Sequence, residues 1–304
     1  MLQSLLSIFA NTILPIFAVA GVGFWLARSE KVEARIVSRI TFSVLSPCLV
    51  FNALVTADVS AAEFGRMAFF AACLMLGGGL LAWLASVVMR LDRPTGRAFI
   101  GVAMFANAGN YGLPLVLFAF GQAAMTRATI YFVIHLILLY SLGIVIMSSS
   151  QKGPREALLS MVRIPHLYAI VAALAFMLLK VPVPTLVLRP VGLLANAALP
   201  MMILLLGMQL ERAAMPERPA LVGLATAGRL VILPALALGL AALMGLTGVE
   251  RQAAVIEASM PAAVMMTVLA MEYQAAPAFV NAVVFVSTII SPITLTILVA
   301  LLQS

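Results

Sequence analysis

Asn107-Ala108-Gly109-Asn110-Tyr111-Gly112-Leu113-Pro114 decides how this chain folds. The stretch lies in the middle of an apolar run from Phe99 to Phe120. Two amides, two glycines and a proline sit where a bilayer leaves no backbone group unpaired. Glycine and proline interrupt a helix and free its N–H and C=O groups. In hydrocarbon each freed group costs several kcal/mol unless protein or a water-filled cavity satisfies it. A helix interrupted there is expected to face a cavity. A second apolar span carries its own proline at the matching place: Pro261 follows Arg251 at the distance at which Asn107 follows Arg97. Two interrupted helices in corresponding halves are the sequence mark of a secondary transporter's binding site.

The rest of the chain fixes the class. Of 304 residues, 64% are hydrophobic and 10% charged, with a mean hydropathy of +1.15. That composition belongs to an all-α polytopic membrane protein, with the lipid bilayer as its solvent. The net charge of +7 does not call for nucleic acid. The basic residues lie in short loops between apolar spans, where they set orientation. Cys48 and Cys73 fall inside spans, so no structural disulfide is expected. The run Leu5 to Ala27 has no Lys or Arg before it and is too long for a cleavable signal core, so it reads as the first transmembrane helix.

Ten spans fit the hydropathy: approximately 5–27, 36–56, 64–89, 97–120, 127–147, 166–181, 190–211, 219–246, 252–274 and 278–302. The sixth is short against the roughly 20 residues a spanning helix needs. With the N-terminus outside, the inner loops hold Arg28, Lys31, Arg35, Arg90, Arg93, Arg97, Lys152, Arg155, Arg163, Arg212 and Arg218. The outer loops then hold only Arg66, Arg127, Lys180, Arg189 and Arg251, while Arg39 and Arg229 fall within spans. The bias predicts both termini outside the cytoplasmic membrane and the loop near 148–165 in the cytoplasm. The halves read as a repeat. Pro200 lies 153 residues after Pro47, and Arg251 and Pro261 lie 154 after Arg97 and Asn107. Five spans is an odd number, so the second copy enters from the opposite side, which makes an inverted repeat.

With these features the sequence resembles the auxin efflux carrier family, which includes plant auxin carriers and bacterial carriers of malate or malonate. Three stretches carry the resemblance: Asn107 to Pro114; Met260-Pro261 with Leu269-Ala270-Met271-Glu272-Tyr273; and Ser291-Pro292-Ile293-Thr294-Leu295. It implies the fold of bile-acid sodium symporters and sodium/proton antiporters, with spans 4 and 9 broken and crossing. It assigns residues 1–58 and 151–215 (spans 1, 2, 6 and 7, with the cytoplasmic loop) to a scaffold that commonly forms a homodimer. Residues 59–150 and 216–304 become a moving transport domain. The implied substrate is a small organic anion, such as malate, malonate or an auxin-like acid, with Asn107 at the asparagine that helps hold its carboxylate. The chain lacks the long cytoplasmic loop of many plant members. After the span-nine proline it reads Ala262-Ala263-Val264-Met265-Met266-Thr267, where relatives carry a polar residue, which suggests an apolar wall on that side.

The chemistry expected at the break follows from helix ends. The second half-helix starts near Tyr111, Gly112 and Pro114, and its free N–H groups carry partial positive charge. Another such end follows Pro261, near Ala262 and Met265. Two positive ends at midplane attract an anion without a lysine. Asn107 and Asn110 add amide donors, and Tyr111 a ring or a hydroxyl. The competing reading is that these residues only repair the interrupted backbone, and Gly109 and Gly112 read as backbone devices.

Charges inside the membrane are costly and usually functional. Arg229 lies about 15 Å into span eight and Glu257 about 9 Å into span nine, at 1.5 Å per residue. They are expected to pair. That pair serves either coupling and charge compensation or the locking of two helices, with a proton or sodium as candidate coupling ion and no other cofactor. His135 reads as a satisfied core histidine or a proton relay. The methionines are scattered over nearly every span, which suits adaptable packing rather than a metal site. Asn11, Asn52, Asn196 and Asn281 read as helix bridges, and Gly21-x-Gly23 and Gly77-Gly78-Gly79 as close packing. The leading reading is a carrier working by alternating access. A sodium-coupled bile-acid-type symporter is the alternative, and outside transport a membrane sensor or an intramembrane enzyme. The spans hold no metal cluster, nucleophile elbow or paired aspartates for the enzyme.

Overall fold

The computed structural model of the chain describes residues 2–57, 59–148, 164–179, 181–211 and 218–303. Lys152, Arg155, Arg163, Lys180 and Arg212, all used in the orientation argument, lie outside the described residues. In chain order the elements are α1 (Gln3–Arg28), α2 (Ala34–Val55) and α3 (Ala61–Val88); α4 (Arg93–Met104); α5 (Ala108–Met147); α6 (Pro165–Leu179); α7 (Thr185–Leu210) and α8 (Pro219–Leu243); α9 (Gly248–Ala258); α10 (Met265–Glu272); and α11 (Pro277–Gln303). Seven of them are long and apolar enough to cross a membrane: α1, α2, α3, α5, α7, α8 and α11. The chain is a multi-pass membrane protein. Side chains such as Leu186, Leu193 and Leu243 stand almost fully exposed on its flanks, where lipid is their solvent.

Two local features shape the helices around the site. Residues 9–13, 41–45, 108–112 and 228–232 form single π-helical turns, and each ends two residues before a proline: Pro15, Pro47, Pro114 and Pro234. Proline has no N–H to donate back, and its ring pushes the carbonyl one turn earlier aside, so the helix widens there. A fifth wide turn, 139–143, ends on Gly143. Within α5, Gly121 takes φ 78° and ψ −172°, a backbone region that essentially only glycine occupies. It interrupts α5 between the expected fourth and fifth spans.

The closest helix contact is between α1 and α7. A side chain on Gly23 would collide with the Leu204 carbonyl, and one on Gly207 with the Ala20 carbonyl. Small residues let the two backbones touch, the usual device of membrane helix packing. Gly21 and Gly77, expected to act likewise, face open space. Asn11 bonds Ser7 within its own helix, at 3.1 Å, and not across helices.

Polar contacts sort the helix ends into two groups. Arg66 pairs with Glu250 at 3.0 Å and Arg127 with Glu63 at 2.8 Å. Gln303 donates to the Ala119 carbonyl at 3.2 Å. In the other group Arg218 pairs with Asp92 at 3.4 Å and Arg97 donates to the Met147 carbonyl at 2.8 Å.

Candidate functional site

α4 stops at Met104 and α5 begins at Ala108; α9 stops at Ala258 and α10 begins at Met265. The extended residues between them meet. Ala106 and Ala262 form an antiparallel bridge, the only isolated bridge among the described residues. The Asn107 N–H donates to the Pro261 carbonyl at 2.8 Å and the Ala263 N–H to the Phe105 carbonyl at 2.9 Å. The Ala262 N–H donates to Ser287 Oγ of α11 at 3.2 Å. Each interruption thus satisfies the backbone of the other, which is what an apolar interior requires.

Where α4 and α9 end, their last carbonyls carry the negative end of the helix dipole. Arg229 of α8 fills that space. Its Nε donates to the Met260 carbonyl at 2.7 Å, Nη1 to the Ala103 carbonyl at 3.0 Å and Nη2 to the Ala258 carbonyl at 2.7 Å. The widened turn 228–232 carries this side chain. A guanidinium suits the place because its fork serves several acceptors at once.

The expected Arg229–Glu257 pair does not form. Arg229 spends its donors on helix ends, and both carboxyl oxygens of Glu257 are buried without a hydrogen-bond partner. Glu257 instead packs against the backbone of Gly112, where an added Cβ would lie 2.8 Å from Oε1 and nearer still to Oε2. Gly112 is bare because that carboxyl occupies its side-chain space.

On the other side of the crossing, where α5 and α10 begin, a cavity of about 60 Å³ opens. Asn107, Gly109, Asn110, Val264 and Met265 line it from the two helix starts. Neither start has a side-chain cap; in α10 the Met266 and Thr267 N–H groups donate to the Ala263 and Val264 carbonyls at 3.0 and 2.9 Å. The Asn107 amide nitrogen is buried and unpartnered. Asn110 donates to Gln209 of α7 at 3.3 Å, while its own oxygen is unpartnered. His135 also faces the cavity, set edge-on to Phe105 with centroids 5.7 Å apart. Its Nδ1 is buried without a protein partner.

Of the sequence-predicted site residues, the cavity gathers Asn107, Asn110 and Met265. Pro261 and Ala262 act through the backbone of the bridge, and Ala263 reaches the cavity instead. Tyr111 points away, edge-on to Phe17 of α1 at 5.8 Å. Gly112 receives Glu257, and Pro114 lines a different cavity. Gln209, Ser38 and Tyr140 were not singled out in the sequence; they arrive from α7, α2 and α5 through the fold alone.

Comparison with known proteins places the chain among transporters. The profile of a family described as membrane transport protein matches residues 8–299. An uncharacterized transporter of Methanothermobacter thermautotrophicus is 28% identical over 265 residues, covering 86% of this chain and 87% of the relative. An uncharacterized transporter of Methanocaldococcus jannaschii is 26% identical over 272 residues, covering 86% and 87%.

Proposed function

The chain belongs to the membrane transport protein family, that of the auxin efflux carriers, and on that premise we propose that it is a secondary carrier of a small organic anion. It is a transport protein rather than an enzyme. The observation that carries the anion reading is the pair of uncapped helix starts converging on one cavity beside the buried, unpartnered amide of Asn107. Positive helix ends and a free amide donor suit a carboxylate. The opposing wall, Ala263, Val264 and Met265, is apolar and suits the rest of a small acid. The cavity's 60 Å³ holds a few waters, well short of the several hundred Å³ of ligand pockets. Entry of a carboxylate therefore requires the helices around it to separate, as alternating access does.

In this reading the chain makes ten spans in a 5+5 inverted repeat. α4 with the start of α5, and α9 with α10, are the two broken spans. Arg97 sits in one group of helix ends and Ala119 in the other, which supports a crossing between them. Residues 1–58 and 151–215 serve as the scaffold, with a homodimer through spans 1, 2, 6 and 7. Residues 59–150 and 216–304 move. Both termini lie outside the cytoplasmic membrane. The test is counterflow in proteoliposomes with malate, malonate and indole-3-acetate. An unlabelled acid inside should accelerate uptake of its labelled form. Flux without such acceleration for any of the three would replace the carrier by a channel, and no flux would remove this substrate class.

A further inference from the structure

A second cavity, of about 280 Å³, lies along the same three helices as the first. Its polar lining is three side-chain amides: Asn52 of α2, Gln122 of α5 and Asn196 of α7. Pro114 and Phe118 line it from α5. Its volume is near the lower bound of ligand pockets, about 300 Å³.

The two cavities are displaced along every helix they share. On α2 the lining passes from Ser38 and Phe42 to Leu49 and Asn52, on α5 from Asn110 to Pro114 and Phe118, and on α7 from Gln209 to Ile203 and Asn196. At 1.5 Å per residue, Ser38 to Asn52 is about 21 Å and Gln209 to Asn196 about 20 Å. Because α2 and α7 run in opposite directions along this displacement, it is a translation along the bundle. Between the cavities the same helices present buried Leu45, Leu113 and Leu206. The first cavity lies toward the ends grouped by Arg97 and Met147, and the second toward those grouped by Arg127 and Ala119.

We infer that the second cavity is the opposite-facing half of the transport path, and that the amides of Asn52, Gln122 and Asn196 form a waiting site for the carboxylate before it reaches Asn107. This rests on the carrier reading for its ligand but not for its geometry. Amides supply donors to a carboxylate without a fixed charge that would hold it in place, so a waiting site built from them releases its ligand onward. Asn52 and Asn196, whose sequence positions suggested helix bridges, both line the cavity.

The test uses the full chain with Cys48 and Cys73 replaced by alanine, in sealed vesicles of both orientations. Membrane-impermeant methanethiosulfonate reagent should modify Gln209→Cys from one side only and Asn196→Cys from the other only. Modification of both from the same side, or of Asn196→Cys from neither, overturns the inference whatever counterflow gives. Asn52→Ala/Asn196→Ala should raise the half-saturating concentration of the transported acid roughly tenfold, the loss of a hydrogen bond to a charged group. The rise should appear only when the acid is offered from the Arg127 side. An equal rise from both sides, or none, overturns the waiting site. Opposite-sided labelling with no counterflow of malate, malonate or indole-3-acetate would keep the two-sided path and defeat the carrier reading.

Discussion

The two sides of the crossing use the same parts and finish them differently. Where α4 and α9 end, Arg229 donates to three carbonyls and Glu257 fills the space over Gly112. Where α5 and α10 begin, no side chain caps either helix, and a cavity stands against the unpartnered amide of Asn107. Two helix starts away from the crossing are finished by side chains. Ser60 accepts from the Glu63 N–H in a capping box, and Asp92 accepts from the Thr95 N–H at 3.0 Å. The starts at Ala34, Thr185, Pro219 and Gly248 also lack side-chain caps, so what sets the two starts at the crossing apart is the buried cavity they line together. An interior that satisfies the negative helix ends with its own cation and leaves the helix starts without side-chain caps beside a cavity is what the proposed anion reading rests on.

The filled side should show the largest effects on stability. Arg229→Met leaves three buried carbonyls without partners, each worth about 1–3 kcal/mol. The expected result is a loss of at least about 3 kcal/mol, read as folded yield on size-exclusion chromatography and as melting in detergent. Arg229→Lys should fall between, because a lysine keeps the charge but not the fork. A normally folded Arg229→Met protein would mean the helix ends do not depend on their cation. Next in size, Gly112→Ala forces a methyl group into the Glu257 carboxyl and should cost about 1–3 kcal/mol, as overpacking does. In a Glu257→Ala background the same change should cost much less, and a double-mutant cycle measures that coupling. Equal costs in both backgrounds would separate the two residues.

Asp92 sharpens the contrast between capped and open starts. Its carboxyl is held below the usual range by the Thr95 N–H first, with help from Arg218. A lowered folded pKa means stabilisation that is present above the unfolded value, near 3.9, and is lost as pH falls through the lowered folded value. Asp92→Ala should therefore cost about 1 kcal/mol or less at pH 7, and the gap from wild type should narrow in melts taken at pH 3. A gap that persists unchanged at pH 3 would assign the effect to something other than the charged cap.

The sequence was most legible where backbone chemistry speaks. Asn107 to Pro114 and Pro261 sit at the interruptions because glycine and proline act locally, and bilayer physics makes their cost visible. The prolines also mark four of the five widened turns. Arg229 was legible as a buried charge in need of partners, but not which ones. Sequence pairs charges with charges, and here the acceptors are carbonyls of α4, of α9 and of the extended residues after α9, which only the crossing brings together. Gln209 and His135 were not legible as a group, since each sits on an apolar helix whose facing direction depends on tertiary packing. The same holds for Gly23 and Gly207, whose meeting fixes α1 against α7.

The open side carries the smallest effect on the empty protein and the most direct test. Asn107→Ala removes an amide that has no partner for its nitrogen, so melting without ligand should stay within about 0.5 kcal/mol of wild type. A hydrogen bond to a charged group contributes roughly 1.5–3 kcal/mol, so affinity for the acid with the strongest counterflow should fall about 10- to 150-fold. At a concentration about 100 times the wild-type Kd, that acid stabilises wild type by about 2.7 kcal/mol. For Asn107→Ala the stabilisation should drop to about 1.4 kcal/mol or less by the same relation. An Asn107→Ala protein that melts like wild type both with and without the acid would contradict binding at the open helix starts.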